Sequence, residues 1–210
     1  MFMSALVPMI KNREFEKVRN EFIHVLGISK ISDFFMLSFL QKMLNKYHGG
    51  NIQVSTDSSS PGLYPVYGTY LHSPQLSKMT FTDLYFPKGE NLPYNADDLV
   101  PNPLGHPVSE GFTFGDVSNY KGDVTMKMTL NNLFVFNDTV KQVEEIVKCH
   151  NELLQTVVPR DFYSVLMSME EMFKDPDKAI HIYNKNRQLY DRFGGSTRDL
   201  VNNEVFNQFF

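Results

Sequence analysis

One carboxylate and a run of hydroxyl side chains form the part of this sequence best suited to chemistry. Asp57 is followed by three serines, residues 58–60, and then by Pro61. A carboxylate can act as a nucleophile without an unusual side chain beside it, and serine hydroxyls can hydrogen-bond a ligand or the turn itself. The same residue types are common in simple turns, where Asp57 would cap its own backbone. The residues alone leave both interpretations open.

Two predicted strands and a helix lead to Asp57. An apolar-rich run over 22–26, closed by Gly27, is too short for a helix and predicts a buried strand. Apolar residues at helical spacing over 34–44 predict a helix, and residues 51–55 predict a second strand. A helical crossover of this length suits two parallel strands. Sites in such sheets lie at the carboxyl ends of the strands, which is where Asp57 falls.

Composition divides the chain into three predicted regions. We expect a strand-helix-strand portion of a barrel over 1–60, a long Pro- and Gly-rich loop region over 61–122, and a C-terminal strand and helical region over 123–210. Eight of the eleven prolines lie between Pro61 and Pro107, so regular structure should be scarce there. Long irregular segments of this kind usually cover a site or contact a partner.

The C-terminal region is predicted to begin with a strand and then become helical. Residues 124–128 alternate between apolar and polar side chains, as in a half-buried strand, and residues 133–136 form an apolar run. Three helices with apolar faces should follow, the first ending before Pro159 and the last beginning near Pro176.

Composition also limits the classes of function. A chain of 210 residues, 42% of them hydrophobic, can form one well-buried domain or one domain with a large appendage. A formal net charge of -4 gives no overall attraction to phosphate backbones, although a local basic patch could provide one. Cys149 is the only cysteine, which excludes an internal disulfide and a thiolate zinc cluster built from this chain alone. We therefore expect a cytoplasmic protein that does not span a membrane.

Two segments resemble the tRNA-guanine transglycosylase family. Residues 25–29 (VLGIS), the helix and residues 52–61 (IQVSTDSSSP) are similar to a family segment in which a Gly-containing turn and a helix lead to a strand ending in Phe-Asp-Cys, with a proline shortly after. Phage and bacterial relatives that insert 7-deazaguanines into DNA share this plan. Residues 149–153 (CHNEL) are similar to the family's C-terminal helix with its His-Asn pair, and residues 165–167 match the Leu-Met helix that follows. The resemblance covers roughly the second half of a family member, taking the eight-stranded barrel as reference.

This resemblance implies an α/β fold: a partial (β/α) barrel of the transglycosylase type with a C-terminal helical region and without the zinc motif. It implies an enzyme or subunit that exchanges guanine for a 7-deazaguanine base in tRNA or DNA. Asp57 matches the family's nucleophile, which attacks the anomeric carbon of the ribose. Leu26 matches the residue that stacks on the bound base, and Gly27 and Ser58 are assigned to the substrate site with it. No cofactor is implied.

Departures from the family pattern define the expected partners. The family's Cys-x-Cys-x-x-Cys motif is absent, so His150 is interpreted as a packed helix residue and no metal site is predicted. Residues 62–64 (GLY) stand where the family has Thr-Arg, and its second catalytic carboxylate lies in a half that this chain does not contain. A half barrel would leave strand edges unpaired. We therefore expect a partner chain that supplies the N-terminal half of the barrel, or a homo-oligomer, together with nucleic acid.

Two further hypotheses stay open. The chain could be a non-catalytic, barrel-derived subunit that binds a partner chain or nucleic acid. It could also be a glycoside- or nucleoside-cleaving hydrolase in which Asp57 works with a second carboxylate, such as Asp83, Asp97 or Asp98.

Overall fold

A computed structural model describes residues 2–17, 21–86, 94–118 and 122–194. The predicted α/β class is confirmed, although helices predominate and the described strands form two separate two-stranded sheets without a closed barrel. The elements in chain order are α1 (Phe2–Lys11), α2 (Glu14–Lys17), β1 (Glu21–Val25), α3 (Ile31–His48), β2 (Ile52–Thr56), α4 (Ser60–Leu63), β3 (Thr69–Gln75), β4 (Thr80–Tyr85), α5 (Phe114–Ser118), α6 (Gly122–Lys148), α7 (Asn151–Val157), α8 (Arg160–Lys174) and α9 (Ala179–Gly194).

The chain divides into two compact units. The terminal unit contains, among the described residues, 2–17, 21–26, 32–56 and 144–194, and the central unit contains 27–31, 57–86, 94–118 and 122–143. No helix in the described part of the chain is long and apolar enough to cross a bilayer. The last residues of the predicted C-terminal region, 195–210, lie outside the described residues.

The strand-helix-strand arrangement of the terminal unit is as predicted, but the prediction that the first strand is buried is wrong, because no residue of β1 is buried. β1 and β2 pair in parallel, from Glu21 opposite Ile52 to Val25 opposite Thr56. The crossover is α3, an 18-residue helix. The order of strand, helix and strand could be predicted because local periodicity indicates each element. A crossover helix is also the usual connection between two parallel strands.

Helices form the core of the terminal unit. Apolar residues at helical spacing on α3, α8 and α9 are fully buried, and the rings of Phe35 and Phe162 meet edge to face with centroids 6.0 Å apart. Full burial of each such side chain contributes about 1.5–3 kcal/mol. The helix predicted to reach Pro159 is interrupted at residues 149–150, where α6 ends and α7 begins.

A β-hairpin occupies part of the segment that was expected to be irregular. β3 and β4 pair antiparallel, from Thr69 opposite Tyr85 to Gln75 opposite Thr80. The prediction of scarce regular structure is therefore wrong for this stretch. β4 is rich in the aromatic and β-branched residues that favour sheets. The one proline of the hairpin strands, Pro74 in β3, lies in a two-stranded sheet where every strand is an edge.

The strand predicted over 124–128 is wrong, because α6 runs unbroken from Gly122 to Lys148. Val124 and Met128 are buried, and they are one helical turn apart. A short apolar alternation places residues i and i+4 on one face in either structure, so it does not separate a strand from a helix. These side chains join the core of the central unit with Tyr70, Phe86, Val100, Phe114 and Val117.

A buried asparagine pair joins α6 to β3. Asn132 Nδ2 donates to the carbonyl of Thr69 over 3.0 Å, and Asn132 Oδ1 accepts from the N–H of Leu71 over 2.8 Å. Asn131 Nδ2 donates to the carbonyl of Leu71, and Asn131 Oδ1 accepts from Ser109 Oγ, each over 2.8 Å. Two polar side chains thus satisfy strand backbone groups that would otherwise be buried without partners.

Candidate active site

The loop after β2 is tied to the loop after β1 at Asp57. Asp57 is the first residue beyond β2. Its Oδ1 accepts a hydrogen bond from the N–H of Gly27, and its carbonyl accepts one from the N–H of Ile28, each over 3.1 Å. Gly27 has a φ of +72°, a left-handed conformation that glycine adopts without a steric penalty. The structure therefore brings together Asp57 and Gly27, two of the four predicted site residues.

Asp57 as a whole residue is exposed. Leu26, the predicted stacking residue, is 70% exposed. Ser58 has a local role as well, because its Oγ accepts the N–H of Ser60 over 3.2 Å and so closes the turn after Asp57.

The chain beyond these serines is anchored by Tyr64. Burial raises the pKa of the Tyr64 phenol, and a hydrogen bond with Ser60 partly offsets that shift. The Tyr64 ring lies 6.1 Å from the ring of Phe136, centroid to centroid. This packing holds the segment after Asp57 within the central unit.

Two cavities are lined by described residues of the terminal unit, and Asp57 lines neither of them. The larger has a volume of about 430 Å³, and its wall includes Lys42, Lys46, His150 and Glu170. The smaller has a volume of about 190 Å³ and lies beside the aromatic rings of Phe15, Tyr47, His48 and Phe173.

Lys42 fixes the C-terminal end of α6 from α3. Its Nζ donates to the carbonyl of Val147 over 2.7 Å, to the carbonyl of Cys149 over 2.9 Å and to Asn151 Oδ1 over 3.2 Å. Carbonyls at a helix end have no partner within the helix, so the ammonium group supplies one. Burial lowers the pKa of Lys42, while the nearby Glu170 carboxylate opposes that shift.

Glu170 is the anionic centre of the same cluster. Lys46 Nζ lies 2.7 Å and Lys174 Nζ lies 3.3 Å from Glu170 Oε1, and Asn151 Nδ2 donates to Oε2 over 3.3 Å. Burial opposes ionisation of Glu170, but the hydrogen bonds from Lys46 and Lys174 outweigh it and lower the pKa of the carboxyl. The carboxylate of Glu170 therefore has a partner on each oxygen, which indicates that the cluster stabilises the fold.

The predicted His-Asn pair is divided between two environments. Asn151 belongs to the Lys42 and Glu170 network. The interpretation of His150 as a packed helix residue is wrong, because the helix is interrupted there and His150 is exposed at the N-cap of α7. Within the described residues, no group of three or more His, Cys, Asp or Glu side chains is arranged to hold a metal ion.

Sequence reasoning missed Lys42 and Gln41, whose partners are not visible from local patterns. Lys42 contacts a carbonyl 105 positions further along the chain. Gln41 Nε2 donates to the carbonyl of Ile52 over 2.9 Å, and Gln41 Oε1 accepts the N–H of Val54 over 2.7 Å. The asparagine pair of α6 did leave a signal, since two adjacent polar residues interrupt an apolar run.

Comparison with known proteins gives no assignment. No family model, curated protein or solved structure matches this chain. The resemblance to transglycosylases therefore depends on the two matched segments alone.

Proposed function

We propose that this chain forms part of a transglycosylase-like enzyme that exchanges guanine for a 7-deazaguanine base in tRNA or DNA. The observation that carries the proposal is the position of Asp57, which directly follows the second strand of a parallel β-α-β unit and is oriented by the N–H of Gly27. Parallel barrels keep their catalytic residues at this end of the strands. In the proposal the β1-α3-β2 unit is a segment of a (β/α) barrel of transglycosylase type.

The proposed reaction needs only one nucleophile. The Asp57 carboxylate attacks C1′ of the nucleoside, and the bond from C1′ to N9 of guanine breaks as its electron pair leaves with the base, which takes up a proton. N9 of the incoming base then loses its proton and attacks C1′, and the Asp57 ester breaks to regenerate the carboxylate. Leu26 stacks on the base, and Ser58 and the Gly27 backbone border the substrate. The exchange involves no net redox change.

The exposed face of the β1-β2 sheet supports the proposal that a partner chain binds there. Phe22 is 77% exposed, and its neighbours on the same face, His24, Gln53 and Ser55, are exposed as well. Parallel sheets are normally covered on both faces. We infer that the residues that complete the barrel, supplied by a partner chain in the cytoplasm, cover this face.

The edges of the sheet indicate where a partner strand would pair. Gln41 already occupies two backbone groups of β2, the carbonyl of Ile52 and the N–H of Val54, as a neighbouring strand would. Within the part of the chain that the structure describes, the outer edge of β1 pairs with no strand. Unpaired strand edges recruit other chains, so this edge is the proposed template for a strand of the partner.

Base exchange tests the proposal directly. The chain and its partner, incubated with tRNA or DNA and labelled guanine, should transfer label into the nucleic acid. Asp57→Asn keeps an oxygen that accepts the Gly27 N–H, so it should fold normally yet reduce incorporation to background. Glu110→Gln, at an exposed position of the same unit, is the matched control and should retain incorporation. Equal incorporation by Asp57→Asn and the natural chain would exclude the proposed nucleophile.

A non-catalytic subunit is the second candidate. This candidate is favoured by the hydrogen bond from the N–H of Gly27 to Asp57 Oδ1, because that bond gives Asp57 a structural role in joining two loops. In that case the complex would bind nucleic acid or its partner equally well with Asp57→Asn, and no label would be incorporated by either form. Release of free base without incorporation would instead indicate the hydrolase alternative, in which Asp83, Asp97 or Asp98 supplies the second carboxylate.

A further inference from the structure

The outer face of α6 carries a continuous apolar stripe. Met126, Leu130, Leu133 and Phe134 are between 37% and 61% exposed. They follow one another at positions i, i+4, i+7 and i+8, so their side chains lie on one side of the helix. Scattered exposed apolar residues are ordinary, but a contiguous apolar surface marks an interaction site.

The buried face of α6 already packs into the core. It is largely apolar, with Val124, Met128, Val135 and Val143 buried, and its buried polar residues, Asn131, Asn132 and Thr139, are hydrogen-bonded. A surface helix normally turns its polar side to solvent. The exposed apolar stripe is therefore a second apolar surface, on the side of α6 that faces away from this core.

The spacing of the stripe matches helix-helix pairing. Met126, Leu130, Leu133 and the exposed Asn137 are separated by four, three and four residues, which is the repeat of an interhelical seam. Single asparagines in such seams select one register and orientation.

We propose that two copies of this chain associate through this stripe, with their α6 helices antiparallel. Asp123 and Lys141 are exposed and lie at opposite ends of the stripe, about 27 Å apart at 1.5 Å per residue. A two-fold axis between Leu130 and Leu133 sets Asp123 of each copy beside Lys141 of the other. A parallel pair would instead oppose like charges. The surface is thus self-complementary, as a two-fold interface requires.

The pairing uses residues of the central unit and does not depend on base exchange. One helix pair is a small interface by the standards of stable complexes, so the dimer should dissociate on dilution. Sedimentation of the full chain should show the mass rising from 24.3 kDa towards twice that value as concentration increases.

Substitution of the stripe tests its role. Leu130→Gln with Leu133→Gln should keep the chain monomeric at every concentration, and the exposure of both positions means that the fold should persist by circular dichroism. Leu63→Gln with Val66→Gln, at exposed apolar positions elsewhere in the same unit, should leave dimerisation unchanged. A natural chain that stays monomeric, an unchanged dimer in the Leu130 and Leu133 variant, or association that requires added nucleic acid would overturn the proposal.

Cross-linking and charge reversal test the orientation. In a Cys149→Ser background, Met126→Cys in one copy should form a disulfide with Asn137→Cys in another, because the antiparallel register opposes these positions. Met126→Cys alone should not cross-link to itself, and efficient self-cross-linking would refute the antiparallel arrangement. Asp123→Lys should weaken the dimer, and adding Lys141→Asp should restore it.

Discussion

Asn132 Oδ1 accepts the backbone N–H of Leu71 over 2.8 Å, across 61 positions of sequence. The contact joins a helix to a strand that local patterns did not predict. It also explains why α6 tolerates polar residues on its buried face, since the strand backbone supplies their partners.

Loss of the Asn132 side chain should destabilise the central unit. Asn132→Ala leaves the N–H of Leu71 and the carbonyl of Thr69 buried without a partner, and the expected loss is about 2 kcal/mol or more in the free energy of unfolding. Asn184→Ala, at an exposed position on α9, should change stability little. Denaturant unfolding followed by circular dichroism measures both, and equal midpoints for the two variants would contradict this role.

Gly27→Ala should destabilise the loop that meets Asp57. A side chain at a φ of +72° costs about 1–2 kcal/mol, although the space around the position is open. Relief of that strain by rotation of the peptide would also turn the N–H away from Asp57, so base exchange should fall with stability. Gly62→Ala, at a glycine in α4 without a positive φ, should not lower the melting temperature. A melting temperature for Gly27→Ala equal to that of the natural chain would show that the conformation carries no penalty.

Lys42→Met should destabilise the terminal unit by about 1–3 kcal/mol, because two helix-end carbonyls and Asn151 Oδ1 lose their charged donor. The same substitution at Lys148, whose exposed ammonium pairs only with exposed Glu145 among the contacts described, should have a much smaller effect. Amide hydrogen exchange at the end of α6 should rise in Lys42→Met alone. Equal exchange in the two variants would show that the ammonium group does not secure this helix end.

Glu170 should make stability depend on acidic pH. Its pKa is lower in the folded chain than its ordinary value of 4.5, so its contribution is complete above that pH and is lost as pH falls through the folded-state pKa. The stability gap between the natural chain and Glu170→Gln should therefore be widest near neutral pH and should narrow in acid. A gap that stays constant across this range would mean that ionised Glu170 does not contribute.

The sequence predicted those parts of the fold that depend on local pattern. The β1-α3-β2 unit follows from an apolar run, helical spacing and a second strand, and the turn at Gly27 follows from a glycine that ends the first strand. The strand over 124–128 was wrong because residues one helical turn apart also satisfy a two-residue alternation. The β3-β4 hairpin was missed because the density of prolines outweighed its strand-forming residues.

The candidate site was predictable in part for the same reason. The position of Asp57 beyond β2 came from chain order, whereas its hydrogen bond with Gly27 joins positions 30 residues apart. Gln41 and Lys42 bind backbone groups of distant segments that pack against α3. The residue types alone do not predict these contacts. Long-range polar contacts of this kind follow from the assembled structure, since many lysines and glutamines on helices are simply solvated.

A nucleophilic role for Asp57 requires that its carboxylate form a covalent bond with the sugar during base exchange. The most direct measurement is mass spectrometry of the complex quenched in acid during turnover with nucleic acid. A nucleotide should be found joined to the peptide that contains Asp57; it should be absent from Asp57→Asn and unchanged by Glu110→Gln. Label incorporation without any adduct on that peptide, or an adduct on a different carboxylate, would contradict it.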